Sequence, residues 1–250
     1  MLIYLVVAAV SIVGALIADS YWFRIPLILV TLGSTGELTT YVHRLIANRP
    51  ISEGIRRRTE KAVKSLKLDS QAVYLDTETT GLGDIDEVIE IAVLSDQGVP
   101  LLNTLVRPTS RVSITRASRK VHGIRKGDLR KAPTWEDIYG ELARILEGKV
   151  IRAWNSDFDE RLLRQTCRAW DLPELENEFV CVMKAFGQHH GTFSAGRKKG
   201  YKWWKLEDAL AIYPECFVDG KTHRAMTDCR HAFNLVGAIT DCSEASLQGP

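Results

Sequence analysis

The chain lacks the cysteine pattern of a secreted, disulfide-stapled domain. Its five cysteines (Cys167, Cys181, Cys216, Cys229 and Cys242) are odd in number and include no CxxC pair. This excludes a thiolate zinc site of the usual spacing and points to a reducing compartment. Internal repeats and low-complexity segments are also missing. A composition of 45% hydrophobic and 26% charged residues excludes a disordered or collagen-like chain. The net charge is only +2 and the mean hydropathy −0.09. Taken as averages, these exclude a strongly basic nucleic-acid binder and a membrane protein. Neither property is evenly spread, however, and 250 residues leave room for one ordinary domain plus an addition.

Charge is absent from residues 2–18, LIYLVVAAVSIVGALIA. As a helix this stretch spans about 26 Å, the short end for a bilayer crossing. The cluster Tyr21-Trp22-Phe23-Arg24 follows, of a kind found at a membrane–water boundary. A cleaved signal peptide carries Lys or Arg before its apolar core, whereas the first basic residue here is Arg24. The expectation is a retained membrane anchor over 1–35: one helix, plus a short interfacial or re-entrant segment around Pro26. Residues 41–70 carry eight Lys or Arg against three acids. Basic charge after a membrane segment stays on the cytoplasmic side. Residues 36–70 are therefore expected to form a basic linker helix, holding the rest of the chain in the cytoplasm at the inner membrane.

From Gln71 the pattern changes to a mixed α/β domain, expected over 71–241 with a tail at 242–250. Strands are predicted at 72–76, 88–94, 101–106, 150–154 and 180–183, with Gly98 and Pro100 marking a hairpin. Helices are predicted from Pro133 to about Leu146 and over 158–170, 206–212 and 225–239. Hairpin strands followed by alternating helices and strands imply a mixed sheet of about five strands with helices on its faces.

Three acidic motifs lie at the ends of these elements. In YLDTETTGL (74–82), Asp76 and Glu78 are two apart, so a strand points both to one face. Two such carboxylates repel unless a cation lies between them, and hard divalent ions take oxygen ligands of this kind. Gly81 suggests a tight turn whose backbone approaches a ligand. In NSDFD (155–159), Asp157 and Glu160 make a plausible capping box, which leaves Asp159 as the functional candidate. In HRAMTD (223–228), Asp228 falls on the last helix and His223 just before it. A histidine suits general-base work near neutral pH. His231, one turn beyond Asp228, is the rival base.

This constellation resembles the DEDDh class of 3′-5′ exonucleases, the family of the proofreading epsilon subunit and ribonuclease T. Val121-His122-Gly123-Ile124 and Lys205-Leu206-Glu207-Asp208-Ala209-Leu210 are similar to two further family segments. Trp154 stands where many members have His or another polar residue, and residues 187–205 form a Gly- and Lys-rich stretch with two tryptophans. The resemblance covers about Gln71 to Thr240. It implies a ribonuclease H-like fold and two divalent ions, Mg²⁺ or Mn²⁺, held by Asp76, Glu78, Asp159 and Asp228. His223 is the implied general base. Thr79, Thr80, Gly81, Leu82, His122, Asn155 and Phe158 are the implied substrate-binding residues. The expected activity is removal of nucleotides from 3′ ends of DNA, with short RNA, or non-catalytic nucleic-acid binding, as alternatives. The expected partners are nucleic-acid 3′ ends and, through residues 1–33, a lipid bilayer.

Overall fold

A computed structural model describes residues 53–68, 70–191 and 202–247. The anchor expected over 1–35 and the cations Arg197, Lys198 and Lys199 lie outside the described residues. No helix among the described residues is long and apolar enough to cross a membrane.

The described elements run α1 (Glu53–Ser65), β1 (Ala72–Thr79), β2 (Val88–Ser95), β3 (Pro100–Leu105), α2 (Arg116–His122), α3 (Trp135–Leu146), β4 (Val150–Ala153), α4 (Ser156–Ala169), β5 (Glu178–Cys181), α5 (Val182–His190), α6 (Leu206–Ile212) and α7 (Ala225–Leu247). The sheet order is β3-β2-β1-β4-β5. The first three strands form an antiparallel meander, and β4 and β5 add in parallel to β1. The expected five-stranded mixed sheet is therefore present.

Alternation along β1 assigns its faces. Val73 and Leu75 enter a core with Trp135, Ile138 and Leu142 of α3 and Leu162 of α4. Tyr74 enters a second core with Ala62, Phe186 of α5 and Leu235 of α7. Helices thus cover both faces, as a sheet buried on both sides requires. Asp76 and Glu78 share the parity of Tyr74 and continue its row toward α7.

The boundaries differ from expectation in ways that have physical causes. Helix α1 is built into the domain rather than linking to it. Ala62 and Leu66 are fully buried, and burying the leucine contributes about 2 kcal/mol. Arg152 of β4, itself buried, donates from Nε to the Leu66 carbonyl at 2.8 Å and from Nη2 to that of Lys67 at 2.7 Å. A guanidinium at the C-terminus of α1 satisfies orphan carbonyls and complements the helix dipole. At the other end, α7 continues to Leu247, so the tail expected from 242 is largely helical. Strand β1 runs to Thr79, and β5 lies two residues earlier than predicted. Val182–His190 is a helix that the periodicity does not reveal. The hairpin holds, with Val99 and Gly98 inside its turn.

One buried titratable network joins α1 to the core. His189 accepts or donates at Nδ1 with the Thr59 hydroxyl (3.0 Å) and at Nε2 with the Tyr213 hydroxyl (2.8 Å). Burial, with the nearby His190 and Arg58 charges, lowers its pKa from 6.5 to about 4. The folded state therefore prefers neutral imidazole. Its stabilising contribution is full above pH 6.5 and is lost as pH falls toward 4. Between about pH 7 and pH 5 the wild type is expected to lose on the order of 2 kcal/mol more stability than His189→Gln. Urea unfolding midpoints of the two proteins at both pH values check this, and parallel pH dependences would refute it.

Candidate active site

The acidic residues meet where β1, α4 and α7 converge. Asp76, Glu78 and Asp228 place one carboxylate oxygen each within 4.8 Å of one another. They line a cavity of about 670 Å³ together with Asp159, His223, Asn155 and Phe158. Asp159 stands beside the trio, in the first turn of α4, and accepts a hydrogen bond from the Thr77 hydroxyl at 2.8 Å. Thr77 thus orients an acid 82 residues away, a role its place in the motif does not suggest.

Burial raises the Asp76 pKa well above the ordinary carboxylate range, and the charges of Asp159, Asp228 and Glu78 raise it further. Glu78 is pushed up to about 8, by burial and then by Asp228 and Glu90. Asp159 rises to about 7, mainly through burial, opposed by the Thr77 hydrogen bond. Such a cluster is costly when ionised and unaccompanied. Its all-oxygen donor set, with the carboxylates already converged, fits a hard divalent cation.

The start of α7 is held by a buried ion pair. Glu90, opposite Glu78 across the β1–β2 ladder, accepts from Arg224 Nε at 3.0 Å and 2.9 Å at its two oxygens. It also accepts the Ala225 backbone N–H at 3.2 Å. This fixes the first turn of α7, so that Asp228 arrives over β1. Glu90 and Arg224 carry no signal in the acidic motifs, because their pairing spans 134 residues.

His223 sits in the loop before α7, with backbone φ of 57°, a left-handed conformation uncommon outside Gly, Asn, Asp and His. Its Nε2 lies 3.1 Å from Oε1 of Glu207 on α6. In the sequence, Glu207 is legible only as part of a helix. His231 is buried and bonds the Val218 carbonyl through Nε2 at 3.3 Å; its Nδ1 lies 3.5 Å from Oδ1 of Asp228, one turn earlier on α7, so it too stands in the wall of the acidic cavity.

The implied substrate residues separate into two groups. Leu82 is 74% exposed, which excludes core packing. It lines the cavity with Asn155, Phe158, Val121 and Trp203. Thr79, Thr80, Gly81 and His122 are not among the lining residues. Thr79 donates its hydroxyl to the Gly81 carbonyl, and Thr80 donates to Asp86 Oδ1 at 2.6 Å. Gly81 packs against the same carboxylate, and a Cβ there would displace Asp86 from its hydrogen bonds to Thr80 and the Gly83 N–H. The close approach expected for a ligand is thus made by Asp86. His122 is buried and accepts the Ile124 backbone N–H at Nδ1. Within the chain, the contacts of these four residues hold the loop beside the cavity. The capping box expected for α4 is absent: Asn155 is the cap residue with no side-chain cap bond, and Asp157 pairs with Lys184 at 2.8 Å. Of the two tryptophans, Trp204 packs in the core and Trp203 is 64% exposed at the cavity rim. Trp154, the departure from the family pattern, is a buried part of the wall and donates from Nε1 to the Trp204 carbonyl at 3.2 Å.

Comparison with known proteins agrees with this arrangement. The RNase_T family model, described as exonuclease, matches residues 73–236. The uncharacterized exonuclease CP81 of Escherichia phage 186 is 38% identical over 178 residues, covering 69% of this chain and 89% of the relative. A PolC-type DNA polymerase III of Thermotoga petrophila is 34% identical over 185 residues, 68% of this chain but only 12% of that protein. Exonuclease X in complex with 5′ overhanging duplex DNA superposes with a TM-score of 0.50 at 25% identity, covering 69% of this chain and 93% of that one. The nuclease domain of 3′hExo, a DEDDh family member bound to rAMP, shares the fold with a TM-score of 0.55 at 17% identity over 70% and 94% of the two chains. With the family match spanning both ends of the acidic cluster, from β1 to α7, the chain belongs to the RNase_T exonuclease family.

Proposed function

We propose that this exonuclease removes nucleotides one at a time from the 3′ end of DNA, single strands first, in a reaction that requires Mg²⁺ or Mn²⁺. The observation that carries the reading is the convergence of Asp76, Glu78 and Asp228, with Asp159 beside them, on the floor of one cavity. Asp76, Glu78 and Asp228 would hold one divalent ion, and Asp76 with Asp159 a second. Bound ions supply Lewis-acid polarisation of the scissile phosphate and lower the cost of the charge that develops there.

The chain's own side chains do the rest. A carboxylate only accepts hydrogen bonds, so the contact with Glu207 assigns the hydrogen of His223 to Nε2. Nδ1 is then the acceptor that takes a proton from the attacking water, and Glu207 offsets the charge of the imidazolium. Leu82, Phe158, Val121 and Trp203 offer apolar surface around the acidic floor, suited to a terminal base. DNA is favoured over RNA by the relatives named DNA polymerase III and by exonuclease X with its duplex DNA.

Residues 1–33 anchor the enzyme at the inner membrane, with its catalytic domain in the cytoplasm. The support is the uncharged run at 2–18 and the basic charge that follows.

One experiment on the full chain tests these readings together. The protein is expected in the membrane pellet after alkaline carbonate extraction. In detergent it shortens a 5′-labelled DNA strand stepwise with Mg²⁺ or Mn²⁺ and is inactive in EDTA. Activity in EDTA sinks the metal dependence. Release of the 5′ label as mononucleotide sinks the polarity, faster digestion of the matched RNA sinks the preference, and a carbonate-soluble protein sinks the anchor.

A further inference from the structure

Between Arg107 and Lys131 the chain carries nine arginines and lysines and a single acid, Asp128. All nine cations are exposed. Among the described residues none of them forms an ion pair. Asp128 is itself occupied, accepting the Arg125 backbone N–H at 2.8 Å. Nine like charges in so short a segment repel one another, and among the described residues no carboxylate lies within ion-pair distance of any of them, although Asp137 acts on Arg107 at longer range. They are not spread over a flat face. Arg107, Arg119, Lys126 and Arg130 line one cavity of about 510 Å³ with Thr109 and Ser110. Its wall is fixed from below, because the buried Glu87 accepts the Thr109 backbone N–H at 2.9 Å as well as its hydroxyl.

This concave basic surface is joined directly to the acidic cavity. The Thr115 N–H donates to the Thr80 carbonyl at 2.7 Å, which ties the segment to the loop after Glu78. Val121 of α2 lines the acidic cavity, while Arg119, two residues earlier, lines the basic one. Lys221, in the loop that leads to His223, donates to the His122 carbonyl at 3.0 Å. Helix α2 therefore stands between the two cavities, and at seven residues it is about 10 Å long.

We propose that the 107–131 segment is a binding track for the phosphodiester backbone upstream of the 3′-terminal nucleotide. This rests on the nuclease reading above. A strand whose end reaches the acidic floor places its next few phosphates across α2, where a line of cations without partners replaces the condensed counterions. Concavity and hydroxyl-bearing walls suit a strand better than a planar lipid surface.

The test compares the wild type with the triple variant Arg119→Ala/Lys126→Ala/Arg130→Ala, in the full chain. Two substrates are used: a long single-stranded oligonucleotide and the p-nitrophenyl ester of thymidine 5′-monophosphate, which has no upstream phosphates. For the oligonucleotide, KM is expected to rise about tenfold or more, and its log–log salt slope to shrink by about 2, near 0.7 per cation lost. Hydrolysis of the ester and kcat on the oligonucleotide stay at wild-type levels. An unchanged KM and salt slope overturns the proposal. So does equal loss on both substrates that the charge-conserving variant Arg119→Lys/Arg130→Lys shares. If the triple variant keeps its oligonucleotide KM but loses a wild-type preference for phosphatidylglycerol-containing over neutral vesicles, the surface docks on lipid and the proposal fails. Gel-shift binding of the oligonucleotide by Asp76→Asn, with and without the triple change, reads the track without turnover. A wild type inactive on both substrates refutes the nuclease reading while leaving this binding result to stand or fall by itself.

Discussion

Asp76→Asn is expected to lower exonuclease activity by on the order of 10³-fold or more while making the metal-free protein more stable. Both effects follow from one position. Asp76 is the carboxylate that the others crowd: Asp159, Asp228 and Glu78 all act on it, after burial. Losing a ligand to both proposed ions removes several kcal/mol of transition-state stabilisation, and each 1.36 kcal/mol is about tenfold in rate. Without metal, the same charge is a liability. The raised pKa values mean that the folded state binds more protons than the unfolded chain. The contribution of the acidic cluster to the stability of the metal-free wild type is then greatest below the unfolded carboxylate values, near 4, and falls as pH rises to about 8, the value for Glu78, opposite in sign to the His189 contribution. An asparagine of the same shape has no proton to take up and no charge to bury, so the metal-free variant is expected to melt several degrees above the wild type near neutral pH. Thermal melts of both proteins, stripped of metal and with added Mg²⁺, check the prediction. Mg²⁺ should raise the wild-type Tm well above its metal-free value and move the variant little. A fully active variant, or one less stable than wild type without metal, would contradict the assignment of Asp76.

His223→Ala is expected to lower kcat by about 10² to 10⁴ with little change in KM, as removal of a general base does. The fold should be unaffected, because the side chain is 40% exposed and its contact is with Glu207, itself 48% exposed. Glu207→Gln keeps the shape but loses the negative charge, so its kcat should fall by a smaller factor, about tenfold. Restoration of His223→Gly activity by added imidazole gives a third readout. Wild-type kcat in His223→Ala would transfer the role to another group. The group to test next is then His231, which lines the same cavity with Nδ1 3.5 Å from Asp228, although its Nε2 is held by the Val218 carbonyl.

Features carried by short-range rules are legible in the amino-acid sequence alone. The two-residue spacing of Asp76 and Glu78 puts both on one face because side chains alternate along a strand. The hairpin at Gly98 and the helix start at Thr134 follow from turn and cap chemistry. The latter is a capping box in which Thr134 and Asp137 bond reciprocally. The same rule fails at Asp157. There α4 begins at Ser156, one residue before Asp157, so Asp157 lies inside the first turn and not at the cap, and its carboxylate is left to the exposed pair with Lys184.

The remaining features depend on partners far along the chain. Residues 53–65 read as a solvated basic helix, because charge dominates their composition. Two positions, Ala62 and Leu66, and the buried Arg152 behind them make that helix part of the core. Thr80 and Gly81 read as a ligand cradle, and Asp86 fills that place. The basic charge of 107–131 is plain in the sequence, but its concavity is not, and a line of cations becomes a track only when α2 folds beside the acidic cavity. By itself the sequence determined which acids are present, their strand and helix positions and the family they signify, since these follow from periodicity and local motifs. Only the tertiary structure decided that three of the acids converge, that Thr77 and Glu207 contact the fourth acid and the histidine, and that Asp86 ties down Thr80 in the loop after β1. Those outcomes are set by side-chain contacts that no local pattern encodes.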